Sequence, residues 1–157
     1  MDTCLINTPL GCTEIKGDEF GVNSISILNT DNLETKVIPN NLEECAIQLK
    51  EYFNGTRHYF DFKINPKGTD FQKKVWQELS KIPFGKTASY AEVSKRIGNI
   101  KAIRAVASAN GKNPLWIVIP CHRVIGSDGS LTGYAGGLKR KQWLLNHENP
   151  FKQQVLF

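Results

Sequence analysis

A thiol followed at once by an imidazole and a guanidinium, in Pro120-Cys121-His122-Arg123-Val124, gives this 157-residue chain the residue types for covalent chemistry. A cysteine thiol is a weak nucleophile at its ordinary pKa of about 8.5 and a strong one as the thiolate, which a neighbouring base or cation can generate. Asn113-Pro114-Leu115-Trp116-Ile117-Val118-Ile119 leads into it, a Pro-marked turn feeding an apolar run that reads as a strand ending at Cys121. In extended backbone successive side chains point to opposite faces. Cys121 and His122 are therefore expected not to touch, with a water carrying the proton between them. The plainer alternative is a buried cysteine closing a strand, because unpaired Cys is among the most buried residue types.

The elements that must position this stretch fall into two parts, residues 1–65 and 66–157, joined at Asn65-Pro66-Lys67-Gly68. In the first part, Phe20 to Leu28 alternates with strand period and His58 to Ile64 puts Phe60, Phe62 and Ile64 on one side of a second strand. Between them, Asn41 is placed as the N-cap of a helix whose apolar face is Leu42, Cys45, Leu49 and Phe53, closed by Asn54-Gly55. In the second part, Thr69-x-x-Gln72 and Ser89-x-x-Glu92 are capping boxes that open two helices. A third helix spans Lys101 to Asn110 with Gly111 in the C′ position, and its tight Gly98-Asn99 link to the second makes a helix-turn-helix. The glycine-rich loop Gly126 to Leu138 can bring backbone amides close to a ligand, and Lys139 to His147 reads as a last helix.

Charge and composition narrow the function classes. Residues 1–62 carry ten acidic and four basic side chains, net −6, whereas residues 63–157 carry five and sixteen, net +11. An asymmetry of this size points to a polyanion meeting the C-terminal part. The third helix offers Ala102, Ala105, Ala107 and Ala109 with only Lys101, Arg104, Ser108 and Asn110 as polar side chains. Major-groove reading needs several side chains reaching base edges, so this small-residue helix suits the narrow minor groove with little sequence preference. Arg104 is its one long cation placed to enter the base stack. The chain opens without a basic segment followed by an apolar run, and no apolar stretch approaches the ~20 residues that span a bilayer. Cys4, Cys12, Cys45 and Cys121 match no zinc spacing and are expected as reduced thiols of a cytoplasmic protein.

Pro120-Cys121-His122-Arg123-Val124 stands after Arg104-Ala105-Val106 and Asn113-Pro114, and before Gly133-Tyr134-x-Gly136-Gly137-Leu138 and Trp143-Leu144-Leu145-x-His147-Glu148. In that order these motifs closely resemble the O6-alkylguanine-DNA alkyltransferases (methylated-DNA–protein-cysteine methyltransferases) over roughly residues 70–148. Residues 1–65 resemble that family's N-terminal ribonuclease-H-like α/β domain only in general character. The resemblance implies a mainly helical, winged-helix-like C-terminal domain carrying the helix-turn-helix. It implies direct-reversal DNA repair in which a guanine alkylated at O6 is flipped out of double-stranded DNA and its alkyl group moves irreversibly to Cys121. O4-alkylthymine is a second candidate substrate. His122 would take the thiol proton through a water, Glu148 would orient the imidazole, Asn113 would hold the turn, and Tyr90 would donate a proton to the departing base. Arg104 would fill the gap in the stack, while Tyr134, Ala135, Lys141, Arg123 and Trp116 would contact substrate. No cofactor or metal is implied, and the expected state is a monomer on DNA, away from membranes.

Two features depart from the family pattern. Trp116 stands where a Pro or a small residue is frequent, which predicts poor reaction with bulky benzyl-type adducts. Ala135 stands where Ser is frequent, leaving only its backbone amide to meet O6. Two other classes stay open at this point: a Cys–His hydrolase or acyltransferase, and a DNA-binding module that senses alkylated bases without transferring the group.

Overall fold

Alternating burial along the N-terminal residues builds an antiparallel meander of β1 (Asp2–Thr8), β2 (Gly11–Asp18) and β3 (Gly21–Leu28), in that order. The computed structural model describes residues 1–30 and 33–149, and the chain divides into two units. The first is Met1–Lys67 with Pro114–Val118, and the second is Gly68–Asn113 with the chain from Ile119 onward. Ile6, Ile15, Ile25 and Ile27 are buried in the sheet, and the helix α1 (Asn40–Phe53) packs across all three strands with Leu42, Cys45, Ala46, Leu49 and Tyr52 buried. Each of the buried Ile and Leu side chains contributes about 1.5–3 kcal/mol relative to leaving it in water. A bulge at Lys16/Gly17 bends β2. A Cβ on Gly17 would lie 2.7 Å from the Gly21 carbonyl oxygen, so only glycine fits there.

The free edge of β3 is covered by two short pieces. Val22 N–H donates to Lys63 O (3.0 Å) and Val22 O accepts from Asn65 N–H (2.8 Å); Ile25 does the same with Pro114 O (2.8 Å) and Trp116 N–H (3.2 Å). Such cover removes the row of open donors and acceptors that makes an edge strand a liability.

Several expectations for this unit need correction. β1 and β2 carry mixed polar and apolar residues and do not stand out in the sequence as strands. Residues 58–64 do not form a strand: only Ile64 makes a bridge, to Val22, because the buried Gln48 side chain takes Asp61's backbone N–H (3.1 Å) in place of a ladder partner. Asn41 is not the cap of α1, which starts two residues earlier than expected, at Asn40, with Pro39 at the N-cap position; the Asn41 amide donates to Asp2 Oδ2 (3.0 Å). The inner face carries Tyr52 fully buried, where Phe53 was expected. The segment Pro114–Val118, expected in the second part, folds with the first.

In the second unit both capping boxes form, Thr69 with Gln72 opening α2 (Asp70–Leu79) and Ser89 with Glu92 opening α3 (Tyr90–Arg96). Gly98 at φ +91° and the Asn99 cap turn the chain into a 3-10 turn, Ile100–Ala102, that continues as α4 (Ile103–Gly111). Gly111 is the last helical residue, with Lys112 at the C-cap, and not the left-handed C′ glycine expected. Trp76 Nε1 donates to Ala109 O (2.9 Å) and ties α2 to α4 over a core that includes Val75, Leu79, Val93 and Val106. Two residues of β4 (Ala88–Ser89) pair in parallel with β5 (Val124–Ile125), which fixes the start of α3 beside the chain just after Cys121. The last helix is α5 (Leu138–Glu148). Among the described residues no helix is long and apolar enough to cross a membrane.

Candidate active site

Cys121 does not close a strand. After Ile117, at φ +76°, the backbone turns, and Cys121–Arg123 forms a 3-10 turn in which Arg123 N–H donates to Pro120 O (3.0 Å). A β-branched residue at positive φ costs on the order of 1–3 kcal/mol, so the tight approach to Cys121 is held at the expense of local strain. In a 3-10 turn consecutive side chains diverge by about 120°, so Cys121 and His122 still point apart, for a different reason from the one expected of a strand. Asn113 Nδ2 donates to Ile119 O (2.7 Å) and its side chain also reaches the Cys121 sulfur, fixing the turn from the end of α4.

Behind the thiol lies a buried ionic set. His122 is fully buried, and its Nε2 lies 2.7 Å from Glu148 Oε2, delivered by the last residue of α5. Arg123 grips the same carboxylate with two hydrogen bonds, Nε to Oε1 (2.7 Å) and Nη2 to Oε2 (3.0 Å), and its Nη1 donates to Ile82 O (2.7 Å). Such a two-pronged pair is the strong geometry for guanidinium and carboxylate. Burial works to raise the Glu148 pKa, but hydrogen bonds from His122 and Arg123 overcome it and hold the carboxyl well below the usual range. Burial pulls the His122 pKa down, against the pull of Glu148, so the imidazole is neutral. With Glu148 ionised, Nε2 carries the ring proton and Nδ1 holds the lone pair; Nδ1 is buried with no protein partner among the described residues.

Burial also pushes the Cys121 thiol up to about 11, with Asn113, the Lys141 charge and nearby backbone N–H groups working the other way. The adjacent cation does not generate a resting thiolate. Arg123 is spent on Glu148, and the pair at rest is a neutral thiol with a neutral base. This arrangement suits a thiol that gives up its proton only as it reacts.

Tyr90, at the first position of α3, joins Arg104 and Ala107 of α4 and Thr132–Ala135 of the glycine-rich loop to line a cleft of about 530 Å³ that also touches Ile103 and Gly111. Arg104 is exposed, the Tyr134 side chain is buried, and Ala135 is exposed. A charge on Cys121 acts on both Tyr90 and Tyr134, which places the sulfur within electrostatic reach of this cleft. Ten of the eleven residues singled out in the sequence therefore lie in the second unit. Cys121, His122, Asn113, Arg123, Lys141 and Glu148 are buried together, while Tyr90, Arg104, Tyr134 and Ala135 line the cleft. Arg123 is committed to Glu148 and Lys141 to backbone carbonyls, so neither side chain presents itself to a substrate. Trp116 folds with the first unit, its backbone N–H donating to Ile25 O. The carbonyls of Ile82, Val124 and Thr132, which anchor Arg123, Lys141 and Tyr90, went unrecognised because a backbone oxygen has no signature in residue type.

Comparison with known proteins gives a consistent result. Residues 70–150 match the family model described as 6-O-methylguanine DNA methyltransferase, DNA binding domain. The methylated-DNA–protein-cysteine methyltransferase of Methanosarcina barkeri is 45% identical, over 92% of this chain and 94% of that protein. The constitutive enzyme of the same name from Bacillus subtilis is 44% identical, over 90% and 91%. Among solved structures, Mycobacterium tuberculosis OGT in complex with DNA superposes with a TM-score of 0.83 at 39% identity, covering 98% of both chains. A buried thiol, the buried imidazole that follows it and the carboxylate that imidazole meets thus stand in a chain that matches these proteins along nearly its whole length, and the chain belongs to the methylated-DNA–protein-cysteine methyltransferase family.

Proposed function

We propose that this protein repairs DNA by direct reversal, with Cys121 as the acceptor of the alkyl group from O6-alkylguanine. The observation that carries the assignment of roles is the buried Cys121–His122–Glu148 set beside a cleft bordered by Arg104 and Tyr90. As the sulfur approaches the alkyl carbon, the thiol proton passes through a water to His122 Nδ1, and Glu148 holds the imidazolium that results. The S–C bond forms as the C–O6 bond breaks, and the electron pair leaves with the guanine. The hydroxyl of Tyr90 meets the charge that develops on the departing base, and the backbone of Tyr134 and Ala135 meets O6. A thioether offers no hydrolytic exit, so each molecule reacts once.

The remaining roles follow from the same reading. The helix-turn-helix of α3 and α4 docks in the minor groove of duplex DNA with little sequence preference, supported by the small residues of α4 and the basic second unit. Arg104 replaces the flipped nucleotide in the stack, offsetting part of the few kcal/mol that extrusion costs. The second unit serves as a winged-helix-like DNA-binding and transfer domain, and the first as a ribonuclease-H-like α/β domain. The protein acts as a monomer in the cytoplasm, in keeping with four unpaired cysteines.

The test is a titration of the protein with a duplex bearing one O6-[methyl-³H]guanine. Label in the protein fraction should plateau at one methyl per molecule. Continued turnover would point to a hydrolytic enzyme, and lesion binding without label transfer to a sensing module.

A further inference from the structure

Lys141 is the one charged side chain of α5's middle turns that is completely buried, and lysine is almost never found there without a partner. Among the described residues no carboxylate pairs with it. Its ammonium instead donates to two backbone carbonyls, Val124 O (2.6 Å) on β5 and Thr132 O (2.7 Å) in the glycine-rich loop. Thr132 O is also the acceptor for the hydroxyl of Tyr90 (3.1 Å), whose ring centroid lies 6.0 Å from the ammonium. The same hydroxyl sits 3.5 Å from Gly133 O. Gly133 adopts φ +48°, and a Cβ there would approach that hydroxyl to 3.7 Å.

A carbonyl oxygen has two lone pairs and can accept from both donors at once. In this arrangement the Tyr90 hydroxyl is occupied by the loop. It can serve a departing guanine only by leaving Thr132, and Thr132–Ala135 must stay in place when it does, because Tyr134 and Ala135 line the cleft. We infer that Lys141 is a positioning residue that acts through Thr132, holding the loop by its carbonyl so that the Tyr90 hydroxyl can turn from the loop to the base without releasing the cleft wall. The cation thus helps the reaction without touching substrate. No bond is made or broken at Lys141; only the hydroxyl's acceptor changes. The inference rests on the alkyl-transfer reading and on Tyr90's role in it.

A double-mutant cycle with Lys141→Met and Tyr90→Phe tests it, with single-turnover methyl transfer from an O6-methylguanine duplex as the readout. Losing a general acid typically lowers a rate by about 10²-fold or more, and Tyr90→Phe is expected to show a loss of that order. Lys141→Met should lower the rate by about 10-fold or more while duplex affinity stays within about 3-fold, and the double variant should be no slower than the slower single, since residues acting as one unit are not additive. A support with a merely structural role would give losses that multiply, and that result would overturn the inference, as would an unchanged rate in Lys141→Met. Should the Met variant fail to fold, Lys141→Gln, which keeps an N–H donor on a shorter side chain, enters the same cycle. A wild-type protein that transfers no methyl would instead refute the alkyl-transfer reading itself.

Discussion

Glu148→Gln is expected to destabilise the protein by about 3–5 kcal/mol, the usual cost of removing one partner from a buried ion pair. The carboxylate is the only counter-charge of the buried Arg123 guanidinium among the described residues, and it also accepts from His122. A neutral amide leaves the guanidinium desolvated and uncompensated. The pH dependence follows from the same geometry. Glu148 has its pKa held below that of an unfolded carboxyl, so its contribution is full above about pH 4.3 and is lost as the pH falls from there toward the folded value. His122 is also depressed, so the unfolded chain binds its proton first and stability begins to fall below about pH 6.5. Urea midpoints measured from pH 7 to pH 3 should therefore fall steadily for the wild type. Glu148→Gln should start lower and lack the steeper loss below about pH 4.3. Equal midpoints for the two proteins at pH 7 would contradict the account.

The second large effect is on the reaction. His122→Gln should lower the rate of methyl transfer at pH 7 by about 10²–10⁴-fold, the range that general-base assistance supplies. The residual rate should then depend on free ionisation of the thiol. Because burial pushes Cys121 up to about 11, that rate should climb about tenfold per unit between pH 7 and pH 9. In the wild type the neutral imidazole is already available at pH 7, so its rate should rise far less steeply. Single-turnover kinetics on an O6-methylguanine duplex across this range decide the matter. A variant with an unchanged rate, or with a rate that ignores pH, would remove His122 from the base role.

How much of this was legible in the sequence depends on the kind of signal. The capping boxes at Thr69/Gln72 and Ser89/Glu92 form as read, because they rest on local hydrogen bonds between residues three apart. The turn at Gly98-Asn99 and the small-residue face of α4 were readable for the same reason. The approach to Cys121 was not. Leu115 to Ile119 has the composition of a strand, yet Leu115 is spent on a single bridge to Ile25 and the backbone then turns at Ile117, a choice made by tertiary packing. β1 was obscured because the apolar Leu5 stands between the buried Cys4 and Ile6, so three apolar residues in a row hide the alternation of the strand. The roles of Arg123 and Lys141 depend on which acceptor each cation finds inside the fold. Their positions in the motif were clear, but only the structure shows Arg123 turned to Glu148 and Lys141 to the Val124 and Thr132 carbonyls.

The most direct test of the central claim is intact-mass spectrometry after the protein is mixed with a duplex oligonucleotide bearing one O6-methylguanine, followed by peptide mapping. The account predicts a gain of one methyl group per molecule, located on the peptide that contains Cys121 and absent from Cys121→Ala. A methyl group on Cys4, Cys12 or Cys45, or an unchanged mass in a protein that binds the lesion, would contradict it.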